Sequence, residues 1–388
     1  MCPIPLKNRR QFFGQATLLS VSLGIPLARG DANEASIKIL NVSTISHQAG
    51  SYQGWPTISL RSNGALVVVW SGGREAHVCP FGQVQYMCSR NGGDSWSWPR
   101  VILDSGLDDR DAGILETQEG TLLVSTFSSL AYEPILKRAR ESGDWDTGRI
   151  ERWVAAHRRL SREDRDHELG QWMIRSEDGG KTWSGKYDSI VNSPHGPIQL
   201  ASGRLIYAGK ELWTGNRRVG LSESTDDGKS WQWLSDIPTR DGDDPSDYHE
   251  LHAVEMLDRR IIVHIRNHNA NHTNETLQCE SSDGGRSWTK PRSIGVWGLP
   301  SHLLRLSDGR VLMTYGHRRP PFGNQARVSV DGRQWSSPMS ISEDGISGDL
   351  GYPSTVEMRD GTFVTVWYEL LENSSNAVLR QARWQLDG

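Results

Sequence analysis

The sequence predicts an all-β protein, a six-bladed β-propeller with a partly helical insertion in its second blade. Three observations carry that expectation. A Trp-ended turn motif recurs five times, an apolar strand–turn–strand unit recurs six times, and the two alternate with a period of about 50 residues. A fixed period of that size, made only of strands and turns, describes a ring of repeated small sheets.

The turn motif reads "SRNGGDSW" at 89–96, "SEDGGKTW" at 176–183, "STDDGKSW" at 224–231, "SSDGGRSW" at 281–288 and, one residue shorter, "SVDGRQW" at 329–335. In "SEDGGKTW", Asp178 can accept from backbone amides, the glycines can take positive φ, and Trp183 can pack over the turn. One copy is only a turn; five require an architecture. These turns are expected to clip blade strands together far from the axis and to carry no chemistry.

The six hairpins turn at "SNG" (62–64), "QEG" (118–120), "ASG" (201–203), "LDR" (257–259), "SDG" (307–309) and "RDG" (359–361). Flanking runs such as "ALVVVW" (65–70) and "TFVTVWY" (362–368) have the β-branched and aromatic composition of strands. The propeller is assigned to 36–388. The early strand "SIKILNVSTI" (36–45) is expected to complete the last blade and close the ring, which removes open edges. One interval is too long: Ser89 to Ser176 spans 87 positions, Ser176 to Ser224 only 48. The surplus, about 131–169, is charged, has helical spacing in part, and reads as a solvated decoration rather than a lid.

Residues 1–30 are set apart. "NRRQFFG" at 8–14 places Arg9 and Arg10 before an apolar stretch, "ATLLSVSLGIPLA", that ends in small residues. This looks like a twin-arginine export signal and implies a periplasmic or secreted protein. Cys79, Cys88 and Cys279 would remain, an odd count without CxxC spacing, against a disulfide framework or a zinc site. A net charge of −4 gives no nucleic-acid footprint, and after the N-terminus no apolar run reaches the roughly 18 residues of a membrane span. A monomer is expected.

Chemistry is expected where the hairpins begin and end near the axis. The entries are "YQGWPTI" (52–58), "DDRDAGIL" (108–115), "NSPHGPIQL" (192–200), "YHELHAVEM" (248–256), "GLPSHLLRL" (298–306) and "DLGYPSTVEM" (349–358). The exits include "SGGREAHVCPFG" (71–82), "YAGKEL" (207–212), "HIRNHN" (264–269), "YGHRRPPFG" (315–323) and "WYE" (367–369). His77, His195, His249, His252, His268, His302 and His317 fall in these segments, which favours a polar ligand site. With no HxH or HExxH spacing, neither a metal nor a cofactor is expected.

At these mouths the chain resembles bacterial sialidases and the wider group of Asp-box (BNR repeat) glycosidase-like proteins, over nearly all of 36–388. The resemblance implies a carbohydrate substrate, a tyrosine nucleophile assisted by a glutamate, an aspartate acid/base, and three arginines that grip a sugar carboxylate. "LGYPSTV" assigns Tyr352 as nucleophile; "ELHAVEMLDRRIIVHIR" assigns Glu250 and Arg266, one at each end of a hairpin. "HGPIQLASGRLIYAGK" resembles the third-blade hairpin, with His195 and Lys210, and "WYE" the closing strand, with Glu369. Three departures stand out. The first arginine is replaced by "GWP", Gly54 and Trp55. The catalytic aspartate's place, counted back from Ser89, falls on His77. The third arginine is matched only by Arg318 or Arg319. Arg74, Arg110, Asp111, His252, His268, His302 and His317 complete the expected substrate contacts, with Trp55 offering a face to stack on a sugar ring.

Phenol ionises near pH 10, so Tyr352 needs a carboxylate such as Glu250 to take its proton. A neutral phenol also avoids the repulsion between a carboxylate nucleophile and an anionic sugar, the reason sialidases depart from the two-carboxylate rule. A histidine titrating near neutrality can protonate a leaving oxygen. The implied function is an exported exo-acting glycoside hydrolase on a terminal, acidic or otherwise unusual sugar. Two alternatives stay open: a non-catalytic glycan-binding propeller, and a polysaccharide lyase using His and Tyr as acid and base.

Overall fold

The computed structural model describes residues 35–46, 50–213 and 217–387. The stretch read as an export signal lies outside them. Among the described residues, no helix is long and apolar enough to cross a membrane.

Six antiparallel sheets of four strands form the body of the molecule. Their first strands are Tyr52–Leu60, Asp108–Glu116, Ile198–Gln199, Tyr248–Glu255, Ser301–Arg305 and Leu350–Glu357. Tyr52–Leu60 packs against Asp108–Glu116 and Leu350–Glu357, and Ser301–Arg305 against Tyr248–Glu255 and Leu350–Glu357; Ile58 N–H of the first blade donates to Ser354 Oγ of the sixth at 3.2 Å. Each blade is covered on both faces, so its central strands are continuously apolar rather than alternating: Leu66, Val67, Val68 and Val69 are all fully buried.

The Trp-ended turns join third to fourth strands. In the second blade, Asp178 accepts from the amides of Lys181 and Thr182, both at 2.9 Å, and from Thr182 Oγ1 at 2.6 Å. Those bonds, led by the Thr182 hydroxyl, hold its carboxyl well below the usual range. The tryptophan of each turn reaches the preceding blade. Trp183 packs on Tyr86, ring centroids 5.8 Å apart. Trp231 joins Leu123 and Met173. Trp288 donates to Ser235 Oγ at 3.0 Å, Trp335 lies 5.2 Å from His264, and Trp96 donates to Gln381 at 3.1 Å.

Six blades carry only five such turns because the sixth is built from both ends of the propeller. Its third strand is Ala377–Asp387 and its outer strand is Ser36–Thr44, paired antiparallel from Ser36 opposite Asp387 to Thr44 opposite Arg380. No loop joins them, so there is no turn to clip.

Between strands Leu122–Ser129 and Gly170–Ser176 of one sheet lie three helices, α1 (Glu133–Ser142), α2 (Thr147–His157) and α3 (Arg162–Glu168). Asp146 caps α2 through the Arg149 amide, and Ser161 with Asp164 forms a capping box on α3. The expectation of a solvated decoration needs correction. Tyr132, Leu136 and Trp153 are buried together with Cys79, and Ala76, Val78 and Phe81 pack on the same cluster. The charged composition hid an apolar face that docks on the loop between strands Leu66–Arg74 and Gln83–Ser89.

Candidate active site

One backbone device builds the site four times. In four first strands the ladder slips at a bulge, between Gly54 and Thr57, Arg110 and Gly113, His249 and His252, and Gly351 and Ser354. Each bulge holds a non-glycine residue in left-handed conformation: Trp55 (φ 54°), Asp111 (φ 51°), Glu250 (φ 46°) and Tyr352 (φ 53°). For tryptophan and tyrosine that conformation is an outlier costing about 1–3 kcal/mol, the kind of strain that clusters at functional sites.

Glu250 of the fourth blade and Tyr352 of the sixth meet. Tyr352 Oη donates to Glu250 Oε1 at 2.5 Å. Arg266 Nη1 donates to Glu250 Oε2 at 2.5 Å and to Tyr352 Oη at 3.1 Å, while its Nε donates to His268 Nε2 at 2.7 Å. Burial, reinforced by the Glu250 charge, pushes the Tyr352 phenol far up. Burial alone would raise Glu250 too, but the Arg266 charge and hydrogen bond hold it below the usual range. The resting pair is therefore a neutral phenol bonded to a carboxylate. Burial pushes Asp111 up to about 7, against the Arg110 charge and assisted by the Glu250 charge. Its Oδ1 has no partner among the described residues.

Around this centre the two candidate arginines of the fifth blade separate. Arg318 lies over Tyr352, 5.4 Å from the ring centroid, with buried Nε and Nη2 that have no partner among the described residues. Arg319 instead stacks on Trp297 at 4.1 Å. His268 lies 4.9 Å from His249; burial, then Lys210, lowers His249 to about 4. Lys210 donates to the Ser246 carbonyl at 2.5 Å, and His317 is buried with Nδ1 unpartnered among the described residues.

Several expectations need correction. Trp55 is only 1% exposed, with the Arg74 and Arg110 guanidiniums 4.7 and 4.4 Å from its ring, so it has no face open to a sugar. Arg74 is itself buried, paired with both oxygens of Asp108 at 2.5 and 3.0 Å, and does not reach a ligand. Glu369 is buried against Arg380. His195, His252 and His302 gather together, ring centroids 4.7–5.3 Å apart, and of the three His195 also lies 6.5 Å from the Tyr352 ring. They line a cavity of about 570 Å³ whose other walls include Leu60, Leu257 and Leu306, beside the hairpin turns. Backbone amides of Leu303 and Thr355 donate to Nδ1 of His252 and His302, leaving Nε2 to carry the proton. That tautomer does not suit metal ligation.

His77 stands at the rim, half exposed, and its partners were missed in the sequence. Its Nδ1 lies 3.0 Å from Asp349 Oδ1 and 2.8 Å from Tyr52 Oη. Tyr368 Oη donates to Asp349 Oδ1 at 3.1 Å. Tyr52, Asp349 and Tyr368 lie in the mouth segments "YQGWPTI", "DLGYPSTVEM" and "WYE", but acids and tyrosines are less conspicuous there than histidines and arginines.

A family model described as "BNR repeat-like domain" matches residues 64–365. A sialidase from Micromonospora viridifaciens is 23% identical over 208 residues, covering 44% of this chain; the match spans 31% of that relative's length. Among solved structures, a protein of unknown function from Dyadobacter fermentans superposes with a TM-score of 0.74 at 19% identity, over 91% of this chain and all of that one. The intramolecular trans-sialidase from Ruminococcus gnavus, in complex with oseltamivir carboxylate, superposes with a TM-score of 0.61 at 14% identity, over 89% of this chain and 97% of its own. At these identities the structural likeness is one of fold.

Proposed function

The chain belongs to the BNR repeat-like domain family, and from that premise we propose that it is a glycoside hydrolase acting on a terminal acidic sugar other than ordinary sialic acid. The observation that carries the reading is the Tyr352–Glu250 hydrogen bond with Arg266 bridging both groups. Glu250 takes the phenol proton as Tyr352 Oη bonds to the anomeric carbon and the glycosidic C–O bond breaks. His77 gives the leaving oxygen its proton. Water then attacks the glycosyl–tyrosine, His77 takes the water's proton, and the phenol leaves with the proton held by Glu250. Asp111, held largely protonated up to about pH 7, donates to a sugar hydroxyl.

Substrate choice follows from the cations. Arg266 is committed to the dyad, whereas Arg318 and Arg110 each hold a buried N–H without a partner among the described residues. Unpaired buried donors call for an acceptor, and a sugar carboxylate supplies one. The first-blade arginine of sialidases is replaced by a buried indole, so the grip differs from theirs.

The test is hydrolysis of a 4-methylumbelliferyl sialoside beside a panel of activated uronides and neutral glycosides. A uronide or another acidic sugar is expected to be released faster than sialic acid, with Tyr352→Phe abolishing turnover. Efficient sialic-acid release with no competitor preferred restores a plain sialidase. Glycan binding without hydrolysis of any member favours the binding-module reading.

A further inference from the structure

We propose that Asp349 is the positioning residue for the proton donor His77, and that the helical excursion braces the loop carrying that donor. The inference rests on the role given to His77 above.

The hydrogen-bond inventory decides the tautomer. Tyr52 Oη donates to both oxygens of Asp349, at 2.9 and 3.0 Å. A phenol has one proton, so an oxygen that spends it on Asp349 can only accept from His77 Nδ1. Asp349 itself only accepts. Both neighbours of Nδ1 therefore require Nδ1 to carry hydrogen, which leaves Nε2 to release and recover the working proton. Burial would raise Asp349, but bonds from His77, Tyr52 and Tyr368 hold it below the usual carboxylate range. Burial pushes the Tyr52 and Tyr368 phenols up. The cluster thus holds one anion, Asp349, facing the His77 ring.

The loop that presents His77 is pinned at three places. Arg74 Nη2 donates to the His77 carbonyl at 2.9 Å. Gly82 returns the chain into the blade where a Cβ would meet Arg74 Nη1 at 2.3 Å and Asp108 Oδ1 at 2.2 Å. Glu75, two residues before His77, receives Arg152 on one oxygen and the Trp153 indole N–H on the other, both from α2. With Cys79 buried against Trp153 and Tyr132, the helices restrain a segment whose freedom would otherwise oppose catalysis. This gives the excursion a part in the chemistry.

The first measurement needs no substrate: two-bond ¹H–¹⁵N spectra of the histidine rings, with His77 identified by its absence in His77→Gln. Wild-type His77 is expected as the Nδ1–H tautomer, and Asp349→Asn should shift it toward Nε2–H. An Nε2–H wild type, or a tautomer indifferent to Asp349→Asn, overturns the proposal. The second compares alkyl and 4-nitrophenyl glycosides of the best sugar from the panel. Asp349→Asn is expected to slow the alkyl glycoside about tenfold or more while changing the nitrophenyl glycoside less than about threefold. Glu75→Gln should show the same bias, and His77→Ala/Asp349→Asn should be no slower than His77→Ala. If His77→Ala slows both substrates equally, the donor role fails while the ring spectra still judge the positioning. If His77→Ala is selective and Asp349→Asn is not, the positioning fails alone. Equal thermal melts for Asp349→Asn and wild type exclude a folding defect.

Discussion

At the scale of single residues, the site sets two buried carboxyls against each other. Glu250 is held ionised by Arg266, while burial, assisted by the Glu250 charge, pushes Asp111 up to about 7. Environments that push two neighbouring acids apart in this way divide the base from the proton-holding group. The arrangement costs stability. A carboxyl whose folded pKa lies above its unfolded value of about 3.8 stabilises the fold fully below pH 4 and loses that contribution as pH rises through about 7. Asp111→Asn, neutral at every pH, should therefore melt increasingly above wild type between pH 4 and pH 8. The gain at pH 8 is a few kcal/mol, or several degrees at this chain length, read by thermal melts at both pH values. A constant difference across the range contradicts the buried-acid account. Legibility at this scale was uneven. Tyr352, Glu250 and Arg266 stood in local motifs that announce them. Asp349 did not, because its bond to His77 spans 272 positions and exists only where the sixth blade meets the first. Arg74 misled for the opposite reason: Asp108, from the next blade, takes both of its terminal nitrogens.

At the scale of elements, the Trp-ended turns are inter-blade rivets. Trp231 is buried between its own blade's Tyr207 and Leu123 of the one before. Truncating it to alanine removes apolar contact on two sheets at once and should cost about 3–5 kcal/mol. Val330, exposed in the fifth turn, should tolerate alanine within about 0.5 kcal/mol. Urea unfolding midpoints of the two variants check the contrast; a silent Trp231→Ala would mean that the blades hold together without their turns. Turn and hairpin chemistry is local, so both repeats could be read directly. The destination of each tryptophan is not local and could not. The excursion shows the same division. Its charges are visible along the chain, whereas the apolar pair Trp153 and Val154 gains meaning only from the His77 loop it covers.

At the scale of the whole molecule, the ring was legible because it is one small unit repeated, and its closure followed from a spare strand at the start and an incomplete blade at the end. What the repeat could not reveal is the level at which each inward residue sits. His252 and His302 fall on first strands like the site residues, yet face a cavity beside the hairpin turns. The closing strand has a mechanical consequence. Ser36 lies opposite Asp387, so the start of one strand and the finish of the other lie at the same side of that ladder. A load applied between them meets the backbone hydrogen bonds one after another, as a zipper does, instead of shearing them together. In an optical trap, with handles at these two positions, the sixth blade should peel away in a short, low-force step before the remaining five give way. A single high-force rupture of the entire ring would show that the seam is as strong as the riveted joints. Tension from outside would then be felt first by the blade that carries Tyr352 and Asp349, so strain on the molecule would reach the candidate site through its seam.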